Sequence, residues 1–167
     1  KELLLEGNIV LTGMRRVGKT TILKHLFGLI ASKNKVLLDL ENPLYRKIFE
    51  EENYDAVWQN LQPVGITNTQ KSYIFLDEVQ NLPALSSVVK YLDDKWKVKF
   101  ILTGSSSYYL KNLFPESLAG RKLIFELYPL TFTEFLEFTN IKRITPQTFS
   151  EKSQHKKKIA YKTSLPL

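Results

Sequence analysis

The eight residues Gly13-Met14-Arg15-Arg16-Val17-Gly18-Lys19-Thr20 constrain the fold more than any other feature. They fit G-x-x-x-x-G-K-T in full and lie between two segments of different periodicity. Before them runs Ile9-Val10-Leu11, a short unbroken apolar stretch. After them Ile22, Leu23, Leu26, Phe27 and Ile30 recur at three- and four-residue steps, the stripe of a helix that lays one face on a sheet. Strand, glycine-containing loop and helix in that order form a cradle in which backbone amides and a helix N-terminus converge on an anion. The expected binding set is Gly13, Arg16, Val17, Gly18, Lys19, Thr20 and Thr21. Lys19 is the cation for the β- and γ-phosphates of a nucleoside triphosphate, and the Thr20 hydroxyl is a ligand for Mg²⁺. For the side chains of Arg15 and Arg16, solvent exposure is as consistent with the pattern as a phosphate contact.

Four further apolar runs follow: Val36-Leu37-Leu38, Tyr73-Ile74-Phe75-Leu76, Phe100-Ile101-Leu102, and Leu123-Ile124-Phe125 with Leu127. Unbroken runs, as opposed to alternating ones, mark strands covered on both faces, so the expected class is α/β, three-layered, with a parallel sheet. Leu85, Val88, Val89, Leu92 and Trp96 make a second helical stripe. Helices are also expected over 53–61, ended by Pro63 and Gly65, and over 106–113. After Pro129, Thr131-Phe132-Thr133-Glu134 has the form of a capping box, with Phe132, Phe135 and Leu136 as the expected buried face of a new helix. The expected organisation is a nucleotide-binding core over 1–128 and the start of a helical lid or a linker over 129–167.

Two acids end the third run. In Tyr73-Ile74-Phe75-Leu76-Asp77-Glu78 the pattern of a Walker B segment assigns Asp77 to Mg²⁺ and Glu78 to the attacking water as general base. Adjacent acids at a strand end are common, and their position after the phosphate loop is what gives them weight. The fourth run ends in Thr103-Gly104-Ser105-Ser106, hydroxyls at the strand edge where ligands of open α/β sheets bind. Ser105, with Thr103 as second choice, is the candidate to sense the γ-phosphate or the lytic water. Capping of the next helix is the competing role. The guanine-reading pattern Asn-Lys-x-Asp is unmatched, since Asn34-Lys35-Val36-Leu37 lacks the Asp and precedes its strand, and Asp77-Glu78-Val79-Gln80 lacks the Gly of D-x-x-G. ATP is therefore the expected nucleotide.

Composition removes other classes. There is no cysteine, which excludes disulfides and thiolate zinc, and the two histidines, His25 and His155, are far apart in sequence. The net charge of +7 is local: residues 141–167 hold seven Lys or Arg against Glu151, so 1–140 carry only +1. A nucleic-acid partner thus has no support in the core, and the Lys156-Lys157-Lys158 run fits a solvated segment. No apolar stretch is long enough for a membrane span and no leader pattern opens the chain, so a cytoplasmic location is expected.

Taken together, GMRRVGKT, LDEVQNLP, FILTGSSS, LAGR and YPLTFTEFL resemble, in unbroken order over about residues 8–138, the bacterial and archaeal AAA-like ATPases often joined to a C-terminal domain of unknown function. The resemblance implies strand order 5-1-4-3-2, a polar contact between Gln80 and Glu78, and Arg121 as an arginine finger acting on a neighbouring subunit of a homo-oligomer. Pairing of Arg121 with Glu116 or Glu126 is the rival role. It also implies a longer protein whose further region contacts an unidentified protein partner. The expected activity is Mg²⁺-dependent ATP hydrolysis driving a conformational switch, the alternatives being a nucleotide-gated module with negligible turnover or a DNA-associated ATPase.

Overall fold

Each apolar run forms a strand in the computed structural model, which describes residues 7–105 and 122–139. Along the chain come β1 (Asn8–Gly13), α1 (Lys19–Leu29), β2 (Lys35–Asp39), α2 (Pro43–Lys47), α3 (Tyr54–Leu61), β3 (Tyr73–Asp77), a 3-10 turn (Val79–Asn81), α4 (Leu85–Trp96), β4 (Lys99–Gly104), β5 (Lys122–Leu127) and α5 (Phe132–Phe138). The chain divides into two units, Lys1–Pro129 and Leu130–Leu167.

In the first unit the sheet order is β2-β3-β4-β1-β5, and every pairing is parallel. The order implied by the resemblance therefore holds. Successive strand residues point to opposite faces, and the core divides accordingly. Ile9, Leu11, Phe75 and Ile101 pack with Leu23 of α1 on one face. Val10, Ile74, Leu76, Phe100 and Leu102 pack on the other with Val57, Trp58 and Leu61 of α3 and Val88, Val89 and Leu92 of α4. The stacked rings of Trp58 and Trp96, 4.5 Å between centroids, join α3 to α4. Three layers result, as the unbroken runs imply.

Buried polar side chains fix the frame. Asn8 donates from Nδ2 to Asp93 Oδ2 at 3.0 Å and accepts the Phe100 amide at 2.8 Å, pinning the start of β1 to β4. Asn34, the only part of the guanine-reading pattern preceding β2, spends its side chain on the loop before β3. It donates to Thr67 O, Gln70 O and Ser72 Oγ and accepts the Thr67 amide. Lys35 closes the end of α1 by donating to the Phe27 and Ile30 carbonyls, a cation on the negative end of a helix. His25 is exposed.

Two expectations need correction. The fifth run is only partly covered: β5, the edge strand that the implied order requires, has residues that are half-buried or exposed, with Ile124 packed against one core cluster and Leu127 against the other. In the second unit the capping box of α5 forms, with Thr131 Oγ1 accepting the Glu134 amide and Glu134 accepting the Thr131 amide. The Thr131 amide and then its hydroxyl, both donating to the ionised carboxylate, hold Glu134 below the ordinary glutamate pKa. Yet Phe132 and Phe135 are exposed and do not form a buried face. The helix has seven residues, and its own unit offers no second described element to cover it. The expected 106–113 helix, Glu116, Arg121 and the basic tail lie outside the described residues.

Candidate functional site

The strands run parallel, so their carboxyl ends share one edge of the sheet. Because β4 lies between β1 and β3, the loop after β1, the Thr103–Ser105 segment and the two acids after β3 meet there. Thr12 pairs with Gly104, one residue before the loop begins and one before Ser105.

The loop's backbone is that of an anion cradle. Arg16 (φ 66°) and Gly18 (φ 96°) are left-handed, and alternation of this conformation with ordinary residues turns successive amides toward one concavity. Gly18 caps α1 without any side-chain hydrogen bond and no acid stands in the helix's first turn, so the positive end of α1 is left for an external anion. The Lys19 side chain folds back into the loop and is 4% exposed. Its Nζ donates to Gly13 O at 3.0 Å and Met14 O at 2.7 Å. Met14, Arg15 and Arg16 carry exposed side chains, Val17 and Thr20 are half-buried, and Thr21 is exposed.

The two glycines of the motif do different work, which the pattern alone does not separate. At Gly13 (φ 145°) an added Cβ would lie 2.2 Å from the Leu127 carbonyl oxygen of β5, whereas at Gly18 it would meet nothing within 4 Å. Gly13 is required by the sheet and Gly18 by the loop's conformation and its free space. Gly13→Ala is therefore expected to cost at least about 2 kcal/mol in urea unfolding, since backbone must shift as well as φ. Gly18→Ala is expected to cost only about 1 kcal/mol while weakening nucleotide binding.

At the end of β3, Asp77 is buried. The Thr103 hydroxyl donates to Asp77 Oδ1, which also accepts the Glu78 amide at 3.1 Å. Thr103, second choice as a phosphate sensor, thus has its proton on Asp77, and its visible role is to orient that carboxylate. Glu78 is half-buried and left-handed (φ 55°, ψ 47°), a conformation costly for a residue with a Cβ and concentrated at functional sites. Gln80 donates from Nε2 to Glu78 Oε2, the contact the resemblance implied, and Gln80 Oε1 accepts the Ser105 amide at 3.2 Å. The hold of Thr103 on Asp77 and the Ser105–Gln80 bond have no sequence signal, being pairings across neighbouring strand ends. Among the described residues no cluster of three His, Cys, Asp or Glu forms a metal cage. Asp77 and Thr20 are the residues that could offer oxygen ligands to a hard cation, a set that would suit an ion bound largely through its ligand and water.

A parallel sheet in this order, with a glycine loop and helix N-terminus at the end of β1 and an acid pair at the end of β3, defines a P-loop NTPase fold of the AAA-like kind. Comparison with known proteins agrees. The chain belongs to the AAA domain family, whose description matches residues 6–136. It is 27% identical over 150 residues to an uncharacterized protein of Haemophilus influenzae, covering 85% of this chain and 37% of that one. It is 34% identical over 131 residues to one of Methanocaldococcus jannaschii, covering 78% and 28% respectively. The chain thus spans little more than a third of these relatives' length at most. Among solved structures, the Aeropyrum pernix ORC1 protein in complex with DNA is similar with a TM-score of 0.54 at 16% identity, over 80% of this chain and 43% of that one. Drosophila ORC bound to GC-rich DNA and Cdc6 gives 0.52 at 9% identity, over 82% and 55%. At such identities the likeness is one of fold. No described helix is long and apolar enough to cross a membrane.

Proposed function

We propose that this chain binds ATP with Mg²⁺ and hydrolyses its terminal phosphoanhydride. The carrying observation is the meeting, at one sheet edge, of a loop that encloses Lys19 with the Thr103–Asp77 pair and Glu78. The loop amides from Gly13 to Thr21 and the Lys19 ammonium would hold the phosphates, and Thr20 and Asp77 would hold Mg²⁺. When bound, the ion supplies positive charge that offsets the charge developing on the phosphoryl oxygens. Glu78 takes the proton of the attacking water, and Ser105 is the hydroxyl at the end of β4 offered to the γ-phosphate.

Arg121 is carried as the finger that reaches a neighbouring subunit's nucleotide, on the strength of its place just before β5. Mixing Glu78→Gln with Arg121→Ala subunits is expected to restore turnover that neither has alone, since an intact base then meets an intact guanidinium across an interface. A co-assembled mixture as inert as its parents rejects the trans role. We further propose that hydrolysis drives a conformational switch in a longer polypeptide, which the greater length of the relatives supports.

The direct test is phosphate release from ATP with Mg²⁺ and with a chelator. Release that stops on chelation supports the reading. ATP binding without any release, under single-turnover conditions, would assign the chain to nucleotide-gated interaction modules.

A further inference from the structure

We propose that Gln80 is a positioning residue that ties the aim of Glu78 to the end of β4, so that Glu78 is presented to water only when the Ser105 main chain is in place. This rests on the reading of Glu78 as general base. The two hydrogen bonds of the Gln80 amide define its orientation without ambiguity. A carboxylate oxygen can only accept and a backbone N–H can only donate, so only Nε2 toward Glu78 and Oε1 toward Ser105 satisfies both. The reverse would set oxygen against oxygen.

The bracket stands on a rigid base. Gln80 sits in the 3-10 turn whose neighbours Val79 and Leu82 are buried in the core against α4, and the turn closes on itself through Asn81 N to Glu78 O and Leu82 N to Val79 O. The left-handed backbone at Glu78 starts this turn directly after β3. Side chains two residues apart diverge on an α-helix, so the contact between 78 and 80 depends on that local backbone.

The other end of the bracket is the informative one. Ser105 follows Gly104, the β4 partner of Thr12, and so lies beside the start of the phosphate loop. Two residues earlier on the same strand, Thr103 holds Asp77. The end of β4 therefore contacts both acids: Thr103 holds Asp77 and accepts the Glu78 amide at 3.4 Å, and Ser105 reaches the Glu78 side chain through Gln80. A displacement of this segment by a γ-phosphate moves metal ligand and base together. Ser105 itself would act through its main chain, whatever its hydroxyl does.

The test uses the full chain, MgATP and three variants: Gln80→Met, of similar length without the amide, Gln80→Glu, and Glu78→Gln as reference. Single-turnover phosphate release is measured with protein in excess, and ATP affinity by calorimetry. For Gln80→Met we expect Kd within about threefold of the parent and a hydrolysis rate lower by about tenfold or more, the scale of a lost hydrogen bond to an ionised group. Gln80→Glu keeps the acceptor for Ser105 but opposes two carboxylates. We expect the same split for it, Kd within about threefold of the parent and a rate lower by about tenfold or more. A merely structural role for Gln80 would lower ATP affinity and melting temperature together with the rate. If Glu78→Gln is slow while Gln80→Met turns over at the parental rate, the positioning role is overturned and the base reading stands. If Glu78→Gln is itself unslowed, the base reading fails and takes the positioning role with it. Should Gln80→Met fold poorly, Gln80→Glu decides by the same measurements, a parental rate at parental Kd overturning the proposal.

Discussion

Replacing Lys19 by Ala is expected to raise the Kd for MgATP at least about a hundredfold, to the point where calorimetry detects no binding. Charge-assisted hydrogen bonds are roughly twice as strong as neutral ones and contribute about 1.5–3 kcal/mol each, and Lys19 is the cation enclosed by the loop. Its ammonium also brackets that loop, donating to the Gly13 and Met14 carbonyls from a buried position. The substitution thus removes both a ligand for phosphate and the contact that keeps the loop wrapped. The sheet should persist, because the first buried apolar residue of α1, Leu23, packs a full turn further along the helix. A melting temperature within a few degrees of the parent, alongside lost binding, separates a site effect from unfolding. Parental affinity in this variant would remove the loop from the nucleotide site.

Glu78→Gln is expected to leave MgATP affinity within about threefold and to slow hydrolysis at least about a hundredfold, the lower end of what a positioned base contributes. The amide has nearly the shape of the carboxylate but cannot take a proton. Gln80 Nε2 would still find an acceptor in the new side-chain oxygen, so the bracket to Ser105 can survive. The left-handed backbone at this position is unaffected, since Gln tolerates it no better and no worse. Single-turnover phosphate release measures the effect directly. Turnover at the parental rate would mean that another group activates the water.

Much of the architecture was legible because periodicity records burial. The unbroken runs at 9–11, 74–76 and 100–102 are buried on both faces, and the spacing of Leu85, Val88, Val89 and Leu92 marks the face of α4 that meets the sheet. Capping chemistry is equally local, so the Thr131–Glu134 box before α5 occurs where the residues predict it. Where tertiary neighbours decide, the same reasoning failed. Phe132 and Phe135 have the spacing of a buried stripe and are exposed, and Leu123-Ile124-Phe125 has the unbroken pattern of a fully buried strand but is half-buried or exposed. Periodicity states which residues could be covered, and coverage requires a partner that the local pattern does not contain.

The sequence by itself determined the strand–loop–helix unit, the acid pair and the α/β class, because glycine spacing, hydrophobic period and charge at strand ends act within a few residues of each other. Tertiary structure alone decided the assignments that depend on which strands become neighbours. Thr103 proved to be the hydroxyl that holds Asp77, since β4 lies beside β3. Gly13 is demanded by the Leu127 carbonyl of β5, which no loop pattern contains. Gln80 joins Glu78 to Ser105 only because the turn after β3 meets the end of β4. The physical reason is common to all three: hydrogen bonds and steric exclusion act over about 3 Å in space, and crossover connections bring to that distance residues that lie 25 or more positions apart in the chain.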